Sequence, residues 1–259
     1  MMKTYAIVYK QDHYSKKIAE QLREGLSRQM IYDEDSPELV ISVGGDGTMI
    51  YSVHKYIEKL ETVSFIGIHT GTLGFLTDYQ CDECDELIQD ILKGEYKTYS
   101  RCLLEVSFDS KKVLGMNEVR VENNRRSQVI NVYINDDFFE TFRGNGLCVS
   151  TASGSTAYNK SLGGAVIHSG AGLMQLSEIA GIHHNAYRSL GSSLILDWTH
   201  RIRFESSDCD GAILGVDNYV FDLKGETSID VKLSDRKVRF VQYKRVPFIK
   251  RLKRSFLSE

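Results

Sequence analysis

The sequence has no long apolar run. None of its 259 residues belongs to a stretch approaching the roughly 18 to 20 consecutive apolar residues that a membrane-spanning helix requires. The N-terminal segment M-M-K-T-Y-A-I-V-Y-K lacks the apolar block and the cleavage site of a secretory signal peptide. These absences predict a cytoplasmic protein that does not associate with membranes.

Proline, excess positive charge and paired cysteines are also scarce. The two prolines, Pro37 and Pro247, each fall next to a boundary between predicted elements, where a residue without an N–H is tolerated. A formal net charge of −3 provides no overall basic surface, so no nucleic-acid partner is expected. Five cysteines at irregular spacing argue against a disulfide framework and favour a reducing compartment.

One pair of cysteines has the C-x-x-C spacing of metal and redox sites. No second cysteine or histidine pair follows Cys81 and Cys84 at the distance a zinc site needs. The surrounding acidic residues would raise the pKa of both thiols, whereas redox cysteines have a lowered pKa. We interpret the pair as the beginning of a helix.

The first part of the chain alternates between strands and helices. Strands are predicted at 4–9, 39–43 and 63–68, and helices at 14–29, 48–59 and 83–93. Alternation of this kind implies crossover connections and a parallel sheet with helices on both faces. Residues 1–96 are therefore predicted to form a Rossmann-like α/β domain.

From residue 97 onwards, short alternating runs dominate. Strands are predicted at 103–108, 129–134, 138–142, 201–205, 219–223 and 237–243, with a hairpin turn at Asn135-Asp136-Asp137. With one short helix near Thr156, residues 97–245 predict a β-sandwich-like domain.

The C-terminal segment is basic and has apolar residues at helical spacing. Phe248, Leu252, Phe256 and Leu257 predict an amphipathic helix within 246–259 that joins the first domain. A role at a membrane surface or on nucleic acid is the alternative interpretation of this tail.

The segment V-I-S-V-G-G-D-G-T places one carboxylate, Asp46, among three glycines at the end of a predicted buried strand. Ligands of open parallel sheets bind beyond the carboxyl ends of the strands. Glycines and a helix N-terminus favour a phosphate, whereas a carboxylate repels it. The conflict resolves if Asp46 faces a hydroxyl and accepts its proton, or helps to hold a divalent metal. An ordinary Gly-Asp-Gly turn is the alternative.

Three more segments could contribute to a site. The glycine-rich G-I-H-T-G-T-L-G-F-L, at 67–76, follows the next strand, so the two loops would form one crevice. Asn117 and Glu118 suit recognition of a nucleoside, since an amide can contact a base edge and a carboxylate can accept ribose hydroxyls. The segment S-T-A-S-G-S-T-A-Y, at 150–158, offers hydroxyls and an aromatic ring. Taken singly, each could be an ordinary loop, surface pair or capped helix.

In this order and spacing, the four segments resemble the signature of the NAD kinase family, in the short form of Gram-positive bacteria. The resemblance runs from about residue 38 to the C-terminus. The long block that ends in G-S-T-A-Y is its specific part, because G-G-D-G-T also occurs in diacylglycerol and sphingosine kinases.

The resemblance implies transfer of the γ-phosphoryl group of ATP, or of polyphosphate, to the 2′-hydroxyl of the adenosine ribose of NAD. It also implies an active site between the two domains, Mg²⁺ or another divalent metal accompanying ATP, and a homodimer or homotetramer whose subunits share the site. By resemblance, Asp46 would be the general base, and Gly44, Gly45 and Thr48 would shape the phosphate and metal side. No residue is assigned as a direct metal ligand.

The resemblance assigns a larger set of residues to NAD. These are Gly47, Phe75, Asn117, Glu118, Arg143, Asn145, Ser153, Thr156, Ala157, Tyr158, Ala180 and Ile182. Within this set, Asn117 and Ser153 would hold the adenine and Glu118 a ribose, while Ala180 and Ile182 would meet the nicotinamide end.

Two positions depart from the family pattern. Asn145 replaces the usual aspartate, which keeps the shape and one acceptor but removes the charge. Ala152 replaces the usual proline, a change worth about 0.4 to 1 kcal/mol through the unfolded chain. A lipid kinase and a non-catalytic sensor of NAD(P) are the alternative functions. The first shares G-G-D-G-T, and the second is suggested by Asn145 alone.

Overall fold

The computed structural model, which describes residues 2–71, 74–183, 188–225, 227–244 and 246–257, divides the chain into two units. The first contains residues 1–100 and 237–259, and the second contains residues 101–236. The chain leaves the first unit within one long strand and returns to it within another.

The first unit is a parallel sheet with helices. In chain order, its elements are β1 (Thr4–Tyr9), α1 (His13–Leu26), β2 (Ile31–Tyr32), β3 (Leu39–Val43), α2 (Asp46–Lys55), β4 (Ser64–His69), β5 (Tyr79–Gln80) and α3 (Cys84–Lys93). The strands of this unit pair in parallel in the order β2-β1-β3-β4, with β5 on the end of β4 and residues 239–240, from the last strand of the chain, beside the beginning of β4. The fully buried β3 and β4 are paired through Val43 and Ile68, so they end at the same edge.

The helices of this unit have recognisable ends. The side chain of Asp12 accepts a hydrogen bond from the Ser15 N–H at the start of α1, and α3 ends at Gly94 in the left-handed region with φ 73°. The helix predicted at 48–59 begins earlier, at Asp46, because Gly45 is its N-cap. Cys84 begins α3, as predicted, and burial raises the pKa of its thiol to about 11.

The second unit is β-rich. Its elements are β6 (Lys97–Phe108), β7 (Lys111–Gly115), β8 (Glu118–Glu122), β9 (Gln128–Ile134), β10 (Asp137–Thr151), α4 (Tyr158–Ser161), β11 (Leu173–Gly181), β12 (Leu194–Asp197), β13 (Arg201–Ser206), β14 (Ile213–Val216), β15 (Tyr219–Asp222) and β16 (Thr227–Gln242), where β6 and β16 extend into the first unit. Strand β10 pairs antiparallel with β8, β9 and β11. The α/β and β-rich character of the two units confirms the predicted fold class.

The hairpin between β9 and β10 is also confirmed. Asn135 and Asp136 adopt φ of 53° and 71°, the positive values that a tight hairpin turn needs. Strand β10 continues to Thr151, far beyond the predicted 138–142. The prediction ended too early because Gly144 and Gly146 weaken the strand pattern in the sequence.

The last helix, α5 (Phe248–Phe256), lies in the first unit. The apolar pattern was wrong about its end, since Leu257 is 76% exposed. The buried residue of this helix is a charged one, Arg251. Across the described ranges of the chain, no helix combines the length and apolar composition that spanning a bilayer would demand.

Candidate active site

Asp46 is held by the second glycine-rich loop. It occupies the first turn of α2, immediately beyond the buried strand β3. Its Oδ2 accepts a hydrogen bond of 2.8 Å from the Phe75 N–H, and its Oδ1 accepts one of 2.9 Å from the Leu76 N–H. Two backbone donors on two oxygens fix the orientation of the carboxylate, while further lone pairs on both oxygens can still accept a proton or a hydrogen bond.

Glycines make this arrangement possible. A Cβ at Gly74 would overlap the carboxylate of Asp46, so the loop can approach closely because no side chain is there. At Gly44, where φ is 153°, a Cβ would overlap the side chain of Thr48. Gly47 differs, because it is exposed and a Cβ there would meet nothing within 4 Å. The space at Gly47 faces outward, at the N-terminus of α2, where an anion is favoured.

His69 lies between the two loops and was not singled out by the sequence pattern. Its Nδ1 accepts a hydrogen bond of 2.9 Å from the Gly71 N–H, so the neutral imidazole carries its proton on Nε2. A Cβ on Gly45 would lie 3.4 Å from that Nε2. Burial lowers the pKa of His69, and the nearby Asp46 carboxylate partly opposes this shift. The imidazole therefore offers one N–H donor beside Gly45.

The loop that carries Phe75 packs on α5. The Phe75 ring lies 6.3 Å from the ring of Phe248 and 5.7 Å from that of Phe256, centroid to centroid. Its main chain is bonded to Asp46 and to Arg251. The structure thus places Phe75 beside the predicted base, with part of its ring covered by the C-terminal helix. Thr72 and Leu73, in the same glycine-rich segment, lie outside the described residues.

In the second unit, strand β8 presents a row of charged side chains. Because successive residues of a strand face opposite ways, Glu118, Arg120 and Glu122 share one face, and Val119 and Val121 enter the core. Arg120 forms an ion pair with Glu122 at 3.2 Å. Glu118 begins the strand and pairs with Ser150 of β10.

The Asn117-Glu118 pair is positioned by a residue that lies far away in the sequence. The buried Asp217 carboxylate accepts hydrogen bonds from the N–H groups of Met116, Asn117 and Glu118, at 2.6, 2.7 and 3.2 Å. A Cβ at Gly154 would overlap the Asn117 carbonyl, so the turn that follows β10 packs directly on this main chain. Nothing local in the sequence links Asp217 to this site.

The Glu118 carboxyl is buried and incompletely satisfied. Burial raises its pKa to about 7; the Asp217 carboxylate adds to the shift, and Arg120 opposes it. Within the described part of the chain, Oε2 of Glu118 and Oγ of Ser153 are buried and have no hydrogen-bond partner. Buried polar atoms are rarely left in this state, so both are candidates to bond a ligand.

The G-S-T-A-Y block forms a short turn and one turn of helix. Residues Gly154–Thr156 are a 3-10 turn, within which the Thr156 hydroxyl donates to the Ser153 carbonyl at 3.3 Å. Ala157 separates this turn from α4, which Tyr158 begins. The Arg120 guanidinium lies 4.8 Å from the centre of the Tyr158 ring, a cation–π contact that orients the ring.

The remaining predicted NAD residues form a separate group. The Ile182 N–H donates to the Arg143 carbonyl at 2.7 Å, and Ala180 holds a positive φ of 48°. The Asn145 side-chain amide donates to the Asn123 carbonyl at 2.9 Å. At about 3.3 Å per residue, this part of β10 is roughly 15 to 25 Å from Ser150. Within one chain, the structure brings Asn117, Glu118 and Ser153 together but leaves this second group apart.

No cluster of three or more His, Cys, Asp or Glu residues suited to a metal ion occurs in the residues the structure describes. Of the residues near the glycine loops, Asp46 supplies a carboxylate and His69 an imidazole. A magnesium ion in proteins is commonly held by one or two carboxylates together with phosphates of the substrate. The donor set around Asp46 fits an ion that arrives on a phosphate group.

Both parts of the chain match known families and relatives. The model of the ATP-NAD kinase N-terminal domain matches residues 7–96, and that of the ATP-NAD kinase C-terminal domain matches residues 116–243. NAD kinase 1 of Oceanobacillus iheyensis is 40% identical over 98% of both chains. NAD kinase 1 of Halalkalibacterium halodurans is 41% identical over 88% of both chains.

Two solved structures share the fold. Yeast NADH kinase complexed with NADH has a TM-score of 0.87 at 18% identity, with 100% of this chain and 89% of that chain covered. An NAD kinase from Archaeoglobus fulgidus in complex with ATP has a TM-score of 0.74 at 22% identity, with 97% and 95% covered. The two domain models and the relatives near 40% identity agree, and they favour neither alternative function. The chain belongs to the NAD kinase family.

Proposed function

We propose that this NAD kinase uses Asp46 to remove the proton of the 2′-hydroxyl as that oxygen attacks the γ-phosphorus of ATP, while the bond from the γ-phosphorus to the bridging oxygen breaks and ADP leaves. The observation that carries the proposal is the double hydrogen bond from the loop of Phe75 and Leu76, which orients the carboxylate next to the glycine-rich N-terminus of α2. Phosphoryl transfer requires little covalent chemistry from the protein, so an aligned base and stabilised charge do most of the work.

The donor side is formed by backbone and imidazole N–H groups. The N–H groups at the start of α2, around Gly45 and Gly47, would bind phosphate oxygens, and Nε2 of His69 lies close to Gly45. We infer that ATP is the donor, in keeping with the ATP complex of the Archaeoglobus relative. Bound Mg²⁺ would neutralise the phosphates, and Asp46 is the carboxylate that could reach it.

We infer that the nucleoside of NAD is recognised by the cluster around β8. Asn117 and the Ser153 hydroxyl would bond the adenine, the Glu118 carboxylate would accept hydroxyls of a ribose, and Tyr158 would flank the adenosine. The buried, unpartnered oxygens of Glu118 and Ser153 support this assignment, because a bound nucleoside would satisfy them. The yeast relative was solved with NADH, a dinucleotide of the same class.

We infer further that the protein is a cytoplasmic homodimer or homotetramer whose subunits share the site. Arg143 and Asn145 lie roughly 15 to 25 Å along β10 from Ser150, by the rise of a strand, and Ala180 and Ile182 lie beside them at the end of the paired strand β11. A second copy of the chain could present this group to a dinucleotide bound at Glu118. Sedimentation of the purified chain with and without NAD tests this assembly, and a monomer under both conditions would contradict it.

The function is tested by NADP formation from NAD, ATP and Mg²⁺, followed with a dehydrogenase specific for NADP. The wild type is expected to turn over, whereas Asp46→Ala should lose about 10²- to 10⁴-fold in kcat with an unchanged circular dichroism spectrum. The exposed Asp82→Ala is the matched control and should keep wild-type activity. Wild-type turnover by Asp46→Ala would remove the base role, and NADP binding without any turnover would favour the sensor.

A further inference from the structure

The C-terminal helix α5 buries an arginine in place of an apolar side chain. Arg251 is 5% exposed, although Ile249 on the same helix is 71% exposed. A guanidinium has five N–H donors and stays charged in proteins, so burying it is costly unless acceptors surround it. A helix that needed only an apolar seam would place its isoleucine inward and its arginine outward. The position of Arg251 therefore calls for a specific explanation.

The partners of Arg251 all belong to the loop that holds Asp46. Its Nη1 lies 3.4 Å from the carbonyl oxygens of Gly74 and of Phe75, and it also donates to the Thr77 carbonyl. Its Nη2 forms a buried ion pair with the carboxylate of Asp78. One guanidinium thus gathers acceptors from four of the five residues between 74 and 78.

The fifth residue of this loop, Leu76, completes the connection to Asp46. The carbonyls of Gly74, Phe75 and Thr77 point to Arg251, while the N–H groups of Phe75 and Leu76 point to the Asp46 carboxylate. The loop therefore lies between the Arg251 guanidinium and the Asp46 carboxylate, and its main chain is hydrogen-bonded to both. The rings of Phe248 and Phe256 also pack against the Phe75 ring.

We propose that Arg251 is a positioning residue for phosphoryl transfer, because it fixes the loop 74–78 whose two N–H groups orient the Asp46 carboxylate. The inference rests on the proposed role of Asp46 as the base. Without the guanidinium, three carbonyls and the Asp78 carboxylate would lose buried partners, and the loop would relax away from the geometry that Asp46 needs. A displacement of about 1 Å at a reacting group can cost on the order of 100-fold in rate.

The experiment compares Arg251→Lys and Arg251→Met with the exposed Lys250→Met on the same helix. Lysine keeps the charge, but a single ammonium cannot span the carbonyls and Asp78 as the planar fork does. We expect kcat to fall by about 10-fold in Arg251→Lys and about 100-fold in Arg251→Met. The KM for NAD should stay within about threefold of wild type, since Asn117, Glu118 and Ser153, which are proposed to bond the nucleoside, lie outside the loop 74–78. Lys250→Met should match the wild type.

Hydrogen exchange at the Phe75 and Leu76 amides gives a readout that does not depend on activity. Both Arg251 variants should exchange faster there, with the amides of α1 and α3 unchanged. Faster exchange throughout the first unit, with kcat per folded molecule unchanged, would mean that Arg251 only stabilises the fold. If Arg251→Met does not fold, Asp78→Asn removes the other half of the ion pair and should give the same local exchange with a smaller loss of kcat.

The outcomes separate this inference from the function itself. An inactive wild type, or an active Asp46→Ala, would overturn the base role. Full kcat in both Arg251 variants, together with an inactive Asp46→Ala, would overturn the positioning role and leave the base role intact.

Discussion

The two candidate carboxyl groups, one in each unit, are held in opposite ways. Asp46, in the α/β unit, accepts a backbone N–H on each of its oxygens. Glu118, in the β-rich unit, is buried with one oxygen unpartnered, and its pKa is raised to about 7, first by burial. The chain itself supplies donors to both oxygens of Asp46, whereas one oxygen of Glu118 is free to bond a ligand.

This difference corresponds to two kinds of work. A base must be aligned when the reaction occurs, and alignment costs least when the protein supplies it in advance. A recognition group gains selectivity when its buried atoms are satisfied by the correct ligand, because an analogue without the matching hydroxyl leaves them unpaired. The comparison predicts that damage around Asp46 affects kcat, whereas damage around Glu118 affects the KM for NAD.

The largest effect is expected at Gly74. In Gly74→Ala the new Cβ would overlap the Asp46 carboxylate, so the loop must move and the two N–H donors move with it. We expect kcat to fall by at least about 100-fold with a smaller change in both KM values. Steady-state kinetics checks this, with Gly172→Ala as the control, since a Cβ there meets nothing within 4 Å. A normal kcat in folded Gly74→Ala would show that Asp46 does not need its loop.

The same division explains what the sequence could predict. In the α/β unit, the site follows from local order, because glycine-rich loops come directly after buried strands and parallel strands end at one edge. Asp217 and Arg251 could not be found this way. Asp217 reaches Asn117 across a hundred residues, and that contact depends on how β8 pairs with β14.

Arg251 illustrates a second reason why the sequence pattern could not predict the whole site. Helical spacing of apolar residues correctly predicted that the tail would dock, since Phe248 and Phe256 contact Phe75. The pattern counts apolar residues, so it included Leu257, which is exposed, and gave no sign of the buried Arg251. A buried charge is stable only with matched acceptors, and here these come from a loop about 175 residues earlier in the chain.

A smaller effect, on pH dependence, is expected at Glu118. Because the folded-state pKa is about 7 and the ordinary value is 4.5, folding favours the protonated carboxyl. Stability from this group is present below pH 4.5 and is lost as the pH rises through about 7, by on the order of 3 kcal/mol. In Glu118→Gln this loss should disappear from urea unfolding measured between these pH values, while the exposed Glu24→Gln keeps it.

The KM for NAD should depend on pH in the same range. If the ionised Glu118 accepts ribose hydroxyls, the wild-type KM for NAD falls as the pH rises through about 7, and that of Glu118→Gln does not. If the KM for NAD depended on pH in the same way in both enzymes, the Glu118 carboxyl would take no part in binding NAD, and the proposed contrast with Asp46 would be wrong.

The smallest effect is expected at Asn145, the departure from the family pattern. Its amide donates a hydrogen bond to the Asn123 carbonyl, which an ionised aspartate cannot do. Asn145→Asp should therefore lose about 1 to 3 kcal/mol of stability and change the KM for NAD by a few-fold, with kcat nearly constant. The exposed neighbour Asn124→Asp introduces the same charge and should do neither. Thermal unfolding and initial rates decide between these outcomes. An unchanged KM would make the replacement neutral for NAD, and an increase in stability would mean that the Asn123 carbonyl finds another donor.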